Sequence, residues 1–283
     1  MTNAAWIHDP RSLLRVGAGF SLARVDSSST PGLDCDKASG KALLDVGRAE
    51  LNDLQERLWA ESRFGGVRSV LLVLQAMDTA GKGGIVEHVV GGVDPQGVAV
   101  HAFKKPTQEE LSHDFLWRVR TQLPTPGLLG VFDRSHYEDV LVARVHSLAD
   151  PAVIEQRYDA INDFEKRVAA SGTTIVKVML HISSDEQKAR LAARLTDPRK
   201  HWKFSPSDLD ERAFWAQYHE AYQVVFEKTS TADAPWFVIP ADHKWYARVA
   251  VQHLLLDALR GLRLAWPIAQ YSVSEQLARL ANE

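Results

Sequence analysis

The stretch Asp78-Thr-Ala-Gly-Lys-Gly-Gly84 brings glycines, a lysine and a carboxylate into one short turn. Gly81, Gly83 and Gly84 let backbone N–H groups approach an anion closely. Lys82 adds a cation that bridges phosphate oxygens and neutralises charge during transfer. Such an arrangement suits a phosphate. Two positions depart from the usual phosphate loop: Ala76 stands where its first glycine falls, and Gly83 where a Ser or Thr would hold magnesium. A metal must then find another ligand, and Asp78 is the carboxylate at hand. A lone carboxylate beside phosphate is repelled by it, whereas a divalent cation between them reverses the sign. Asp78 could instead orient an acceptor phosphate oxygen, or shape the loop as an Asx-turn.

A second acid, Asp133, closes the apolar run Leu128-Leu-Gly-Val-Phe132. Ligands of open α/β sheets bind off such strand tips, which gives Asp133 the position of a magnesium-holding acid. Arg134, Ser135, His136, Tyr137, Glu138 and Asp139 follow in an unbroken polar run, the mark of a site rather than a turn. His136 reads as a hydrogen-bonded orienter rather than a general base. A third group is cationic: Lys188, Arg190, Arg194, Arg199, Lys200 and Lys203, with Asp197 the only acid among them. Arg190 and Arg194 share a helix face, and Pro198 then breaks the helix. This segment fits a mobile flap that closes on a polyanion, the alternative being a solvated helix face. Trp202 reads as core in preference to a base-stacking platform.

The elements that must hold these residues alternate. Val70–Gln75 is continuously apolar, as expected of a parallel strand covered on both faces. Further strands are expected at 98–103, 128–132, 174–182 and 236–239. Helices are expected at 42–62, 84–90, from Thr107 through Val119, at 151–170, from Ser183 through Leu195, at 206–226 and at 244–262. Capping boxes at Thr107/Glu110 and Ser183/Glu186 open two of them. Alternation predicts an α/β fold, a three-layer α/β/α parallel sheet with right-handed crossovers. One domain is expected over 41–265, with the flap at about 188–208. A mostly irregular N-terminal extension, 1–40, precedes it, and a tail, 266–283, follows.

The 283 residues suffice for one large core, and a formal net charge of −3 argues against nucleic acid as a partner. The N-terminus lacks the apolar stretch of a signal peptide, and no apolar run nears the ~20 residues of a membrane helix. The single cysteine, Cys35, excludes an intrachain disulfide and reads as incidental. A reducing cytoplasm, with no membrane partner, is the expected setting.

Four segments together resemble the polyphosphate kinase 2 family: Gln75 through Gly84, Phe132 through Val140, Arg194 through Phe204, and Ile239-Pro-Ala-Asp-His-Lys-Trp245. The resemblance spans about Lys37 to Leu262. It implies a thymidylate-kinase-like phosphate-loop fold with a helical lid, and magnesium-dependent phosphoryl transfer between inorganic polyphosphate and nucleotides. Carried over by residue, Asp78 and Asp133 would hold the metal, Lys82 the transferred group, and Arg134 a phosphate. Thr79, Ala80, Gly81, Gly83, Gly84, Arg118 and Glu138 would join the nucleotide and phosphate contacts, with Arg194, Arg199, Lys200 and Lys203 from the lid. AMP, ADP, ATP and guanine nucleotides are the expected small partners, and a homodimer or homotetramer the expected assembly. The run from His136 to Val140 resembles the branch accepting both AMP and ADP, although that branch often has Asn at the position of Asp133. Outside this reading stand an ATP-dependent nucleotide kinase and a non-catalytic phosphate sensor.

Overall fold

The computed structural model describes residues 6–283. In chain order, α1 (Pro10–Leu14) opens on an Asp9 cap and a first-position proline. α2 (Lys37–Ser62) leads into β1 (Ser69–Ala76), and the glycine turn connects β1 to α3 (Lys82–His88). Next come β2 (Val98–Ala102), α4 (Gln108–Leu111), α5 (Trp117–Arg120), β3 (Leu129–Asp133) and α6 (Glu138–Val145). α7 (Pro151–Ala170), β4 (Thr173–His181) and α8 (Ser184–Thr196) follow, then a 3-10 turn at Pro198–Lys203 and α9 (Ser207–Arg212). The chain ends with α10 (Trp215–Thr229), β5 (Trp236–Pro240), α11 (Lys244–Gly261) and α12 (Val273–Ala281).

All strand pairs are parallel, in the order β2-β3-β1-β4-β5, so β1 is central. Its side chains alternate between two separate cores. Val70, Leu72 and Leu74 join residues of α2 and α11 such as Leu51, Leu58 and Leu255. Leu71 and Val73 face Tyr137, the cap of α6, and Leu141, Ile161, Phe164 and Phe226 on the other side, from α6, α7 and α10. Double coverage is why the strand reads as an unbroken apolar run. Each such side chain contributes about 1.5–3 kcal/mol by leaving water.

Several boundaries differ from the sequence expectation for identifiable reasons. α2 starts at Lys37 because the Asp36 carboxylate accepts the Ser39 N–H at 2.8 Å. The single helix expected from Thr107 is two. The Thr107/Glu110 capping box forms, but Asp114 accepts the Leu116 N–H at 3.0 Å and starts a new turn. At Ser183 only half the box forms: Glu186 gives its carboxylate to Arg190 instead of the cap backbone. The helix expected at 206–226 breaks at Ala213–Phe214. Arg212 ties α9 back to α8 through Ser184 O and Gln187 Oε1, while the Phe214 ring packs on His146 at 4.8 Å. Trp202 is not core: it is 78% exposed, with Lys203 Nζ 4.9 Å above its ring. Between 6 and 36 the backbone is mostly irregular, yet Leu14, Leu22 and Leu33 are buried against the two cores. Cys35 is half-buried, which pushes its thiol up. Among the described residues no helix is long and apolar enough to cross a membrane.

Candidate functional site

β1 and β3 are neighbours in register, with Leu74 opposite Asp133. The two tips therefore end side by side, and the Arg134 N–H continues the pairing to Leu74 O at 3.0 Å. Both chains then turn sharply. Thr79 has φ 64° and Arg134 φ 65°, left-handed values unfavourable for side-chain-bearing residues, and Gly81 has φ 120°. The turns aim the two acidic tips at one another: Arg134 Nη2 donates to Asp78 Oδ1 at 3.1 Å. Burial would lower the Arg134 pKa, but the carboxylates of Glu138, Asp78 and Asp133 outweigh it and hold the guanidinium charged. Glu138, on the first turn of α6, is pushed up by burial against the opposing pull of Arg134 and Lys82. Asp78, Lys82, Asp133, Arg134 and Glu138 thus form one electrostatic cluster. Lys82 Nζ reaches back to Ala76 O at 3.4 Å, along the strand it follows.

Thr79 Oγ1 is buried in the turn without a hydrogen-bond partner. An orphaned hydroxyl of this kind calls for a ligand. Among the described residues no three His, Cys, Asp or Glu side chains cluster as a metal cage. Two carboxylates are nevertheless what magnesium uses when phosphate oxygens and water complete its shell. The donor set at these strand tips fits that ion.

The other sequence-predicted residues lie further out. Arg118 is buried behind the cluster, donating to Lys104 O at 2.9 Å and to Asp139 Oδ2 at 3.4 Å, with Phe103 under its guanidinium. Three of the four cations expected of a lid meet acceptors within their own segment. Arg194 donates to Lys203 O at 2.9 Å and Asp208 at 3.4 Å; Arg199 and Lys200 pair with Asp197. Those two bonds hold the Asp197 carboxyl at about 2. Among the described residues, no hydrogen bond or ion pair joins Arg194, Arg199, Lys200 or Lys203 to Asp78, Lys82 or Asp133.

Two supports differ from the sequence reading. The sequence does not single out Gln187, and Arg190, expected as a flap cation, instead points with it into the loop from α8, Gln187 Nε2 donating to Asp78 O at 3.1 Å and Arg190 Nη1 to Ala80 O at 2.9 Å. The signal was their spacing with buried Leu191, a stripe at i, i+3 and i+4 marking the inward face of α8. Beneath the Asp133–Glu138 turn lies a buried polar network. Lys177 Nζ, fully buried on β4, donates to Glu165 at 2.5 Å, Tyr137 Oη at 2.8 Å and Thr229 O at 2.8 Å. His136 and Tyr137 both reach Glu165 Oε1, at 3.2 and 2.8 Å. His136 is thereby an orienting group, away from the open face of the turn.

A central parallel strand running into a glycine turn with a lysine, beside a second strand that ends in an acid, defines a phosphate-loop kinase fold. The profile of the family described as Polyphosphate kinase 2 matches residues 34–264. The chain belongs to that family. It is 47% identical over 248 residues to the AMP/ADP-polyphosphate phosphotransferase of Meiothermus ruber, covering 88% of this chain and 91% of that one. It is 44% identical to the ADP-polyphosphate phosphotransferase of Rhodopseudomonas palustris, covering 82% and 83%. The crystal structure of polyphosphate kinase 2 from Arthrobacter aurescens TC1 superposes with a TM-score of 0.97 at 62% identity, covering 98% of both chains.

Proposed function

We propose that the protein transfers phosphoryl groups between inorganic polyphosphate and adenine nucleotides, with both AMP and ADP as acceptors. The observation that carries this reading is the meeting of Asp78 and Arg134 across two adjacent strand tips, with Lys82 in the same turn. Family membership supplies the substrate class, and the name of the Meiothermus ruber relative, which includes both AMP and ADP, supports the two acceptors.

In this reading Asp78 and Asp133 would hold magnesium, which would supply neutralisation of phosphate charge at the reacting centre. Lys82 and the N–H groups of Gly81, Lys82, Gly83 and Gly84 receive the phosphoryl group. Arg134, fixed by Asp78, clamps a terminal phosphate, and the unpartnered Thr79 hydroxyl donates to a phosphate oxygen. Arg194, Arg199 and Lys200 exchange their carboxylates, Asp208 and Asp197, for the donor chain as the lid closes, and Lys203 leaves the Trp202 ring to join them. Arg118 and Glu138 set the rear wall. Catalysis then consists of positioning and charge neutralisation, without a covalent enzyme intermediate. The enzyme works in the cytoplasm as a homodimer or homotetramer; the exposed apolar residues Trp266, Ile268, Tyr271, Leu277 and Leu280 offer surface for assembly.

The test is to incubate the protein with magnesium, AMP or ADP, and either polyphosphate or ATP, and to resolve the nucleotides chromatographically. ADP and ATP formed from polyphosphate are expected. Phosphoryl transfer from ATP alone would make it an ordinary nucleotide kinase, and tight binding without turnover would make it a sensor.

A further inference from the structure

Arg190 is 7% exposed, and its hydrogen bonds are fully accounted for. A guanidinium has five N–H donors. Nε donates to Glu186 at 2.6 Å, one turn earlier on α8. Nη1 donates to Thr79 O at 3.1 Å and Ala80 O at 2.9 Å, both in the phosphate loop. Nη2 donates to Ala241 O at 2.6 Å and Asp242 O at 3.0 Å, in the turn between β5 and α11. No donor is left for a substrate phosphate, although Arg190 lies in the most cationic stretch of the chain.

We propose that Arg190 is a positioning residue for phosphoryl transfer, holding the phosphate loop in its working shape by gripping the carbonyl side of its peptides. The peptide unit is planar and trans, so its C=O and N–H point in opposite directions. Drawing the Ala80 carbonyl onto Arg190 turns the Gly81 N–H outward. Holding the Thr79 carbonyl sends the Ala80 N–H the other way, to Met77 O at 3.3 Å, where it closes the turn rather than facing a phosphate. Arg190 thus fixes the unfavourable conformation of Thr79 from behind, with Gln187 on the adjoining carbonyl of Asp78. The same helix carries Arg194 and runs on into the lid, so one rigid element sets both the loop and the root of the lid. Asp242 closes the arrangement by accepting the Ser183 N–H at 2.9 Å at the start of α8.

This proposal rests on the reading of Asp78–Gly84 as a phosphate cradle. It is tested with the full chain carrying Arg190→Met or Arg190→Lys, and with Arg194→Ala as a comparison. Amide hydrogen exchange is followed over residues 77–84 and over β1 and β4, alongside kinetics with polyphosphate and ADP. Both Arg190 variants are expected to speed exchange in the loop only. They lower kcat by about 10²-fold, the cost of misplacing reacting groups by roughly 1 Å, with KM for polyphosphate little changed. Lysine does not rescue, because an ammonium lacks the fork. Unchanged loop exchange, or a raised KM for polyphosphate like that of Arg194→Ala, would overturn the proposal by making Arg190 a ligand. Failure of Arg190→Lys to fold would also overturn it, making Arg190 a determinant of the whole fold. Loop-specific exchange in a protein whose wild type transfers nothing would uphold the grip and sink the proposed function.

Discussion

Replacing Lys177 with methionine removes the cation at the centre of the buried network while keeping its volume. In the folded protein, burial alone would raise the Glu165 carboxyl, but Lys177 and His136 outweigh burial and keep it below the ordinary range. Lys177 is itself lowered by burial, with Glu165 opposing. The pair is ionised, dry and bonded on every side, with Lys177 Nζ 5.3 Å from the centres of both the Tyr137 and Trp236 rings. Removing one member of such a pair strands the other charge, at a cost of about 3–5 kcal/mol. For a chain of this size that corresponds to a fall in Tm of about 5–10 °C. The pH dependence also changes sign. In the wild type Glu165 contributes stability above its unfolded pKa and loses it as pH falls through its lower folded value. In Lys177→Met the stranded Glu165 carboxylate loses its cation and is raised by burial, so stability improves as pH falls and the carboxylate takes up a proton. Urea unfolding at pH 8 and pH 5.5 reads both effects. A loss below about 1 kcal/mol, or an unchanged pH slope, would refute the view that an ionised pair supports the turn. Adding Glu165→Gln to Lys177→Met should recover part of the loss, since no charge is then left unpaired.

His181 provides an acid-side prediction. Burial, with His219 5.4 Å away, lowers its imidazole from 6.5 to about 4. Its neutral form is stabilising at pH 7; as pH falls below 6.5 the unfolded chain takes a proton that the folded one refuses. Roughly 3 kcal/mol should therefore be lost between pH 7 and 4, and His181→Gln should flatten that slope in urea titrations. Chelation with EDTA should stop transfer and magnesium restore it, while Asp133→Asn lowers kcat by at least about 10²-fold with circular dichroism unchanged. Full activity in either case would remove the metal from the reading. Trp202→Ala should alter stability by no more than about 0.5 kcal/mol, whereas a core tryptophan would cost about 3–5 kcal/mol.

The strands, the glycine turn and Asp133 were legible because their signals are local: apolar runs, punctuating glycines, and an acid directly after a strand. Trp202 was misread because an aromatic side chain says nothing of whether its segment packs on the body or projects from it. The breaks at Asp114 and Ala213 carry no proline or glycine and follow from contacts made elsewhere, such as Arg212 on α8. The grip of Arg190 was invisible for the same reason. Its partners in the loop are backbone carbonyls 110 and 111 positions away, and a carbonyl leaves no mark in a sequence.

Thr79 and Arg134, each in a left-handed conformation at the end of its strand, also bear on how this enzyme can be engineered. Each holds roughly 1–2 kcal/mol that glycine would release. A screen for thermostability alone would therefore be drawn to these two positions, and the variants it selected would be sturdier and slower. Consensus or cavity-filling changes remote from the two strand tips are the safer route to a robust catalyst.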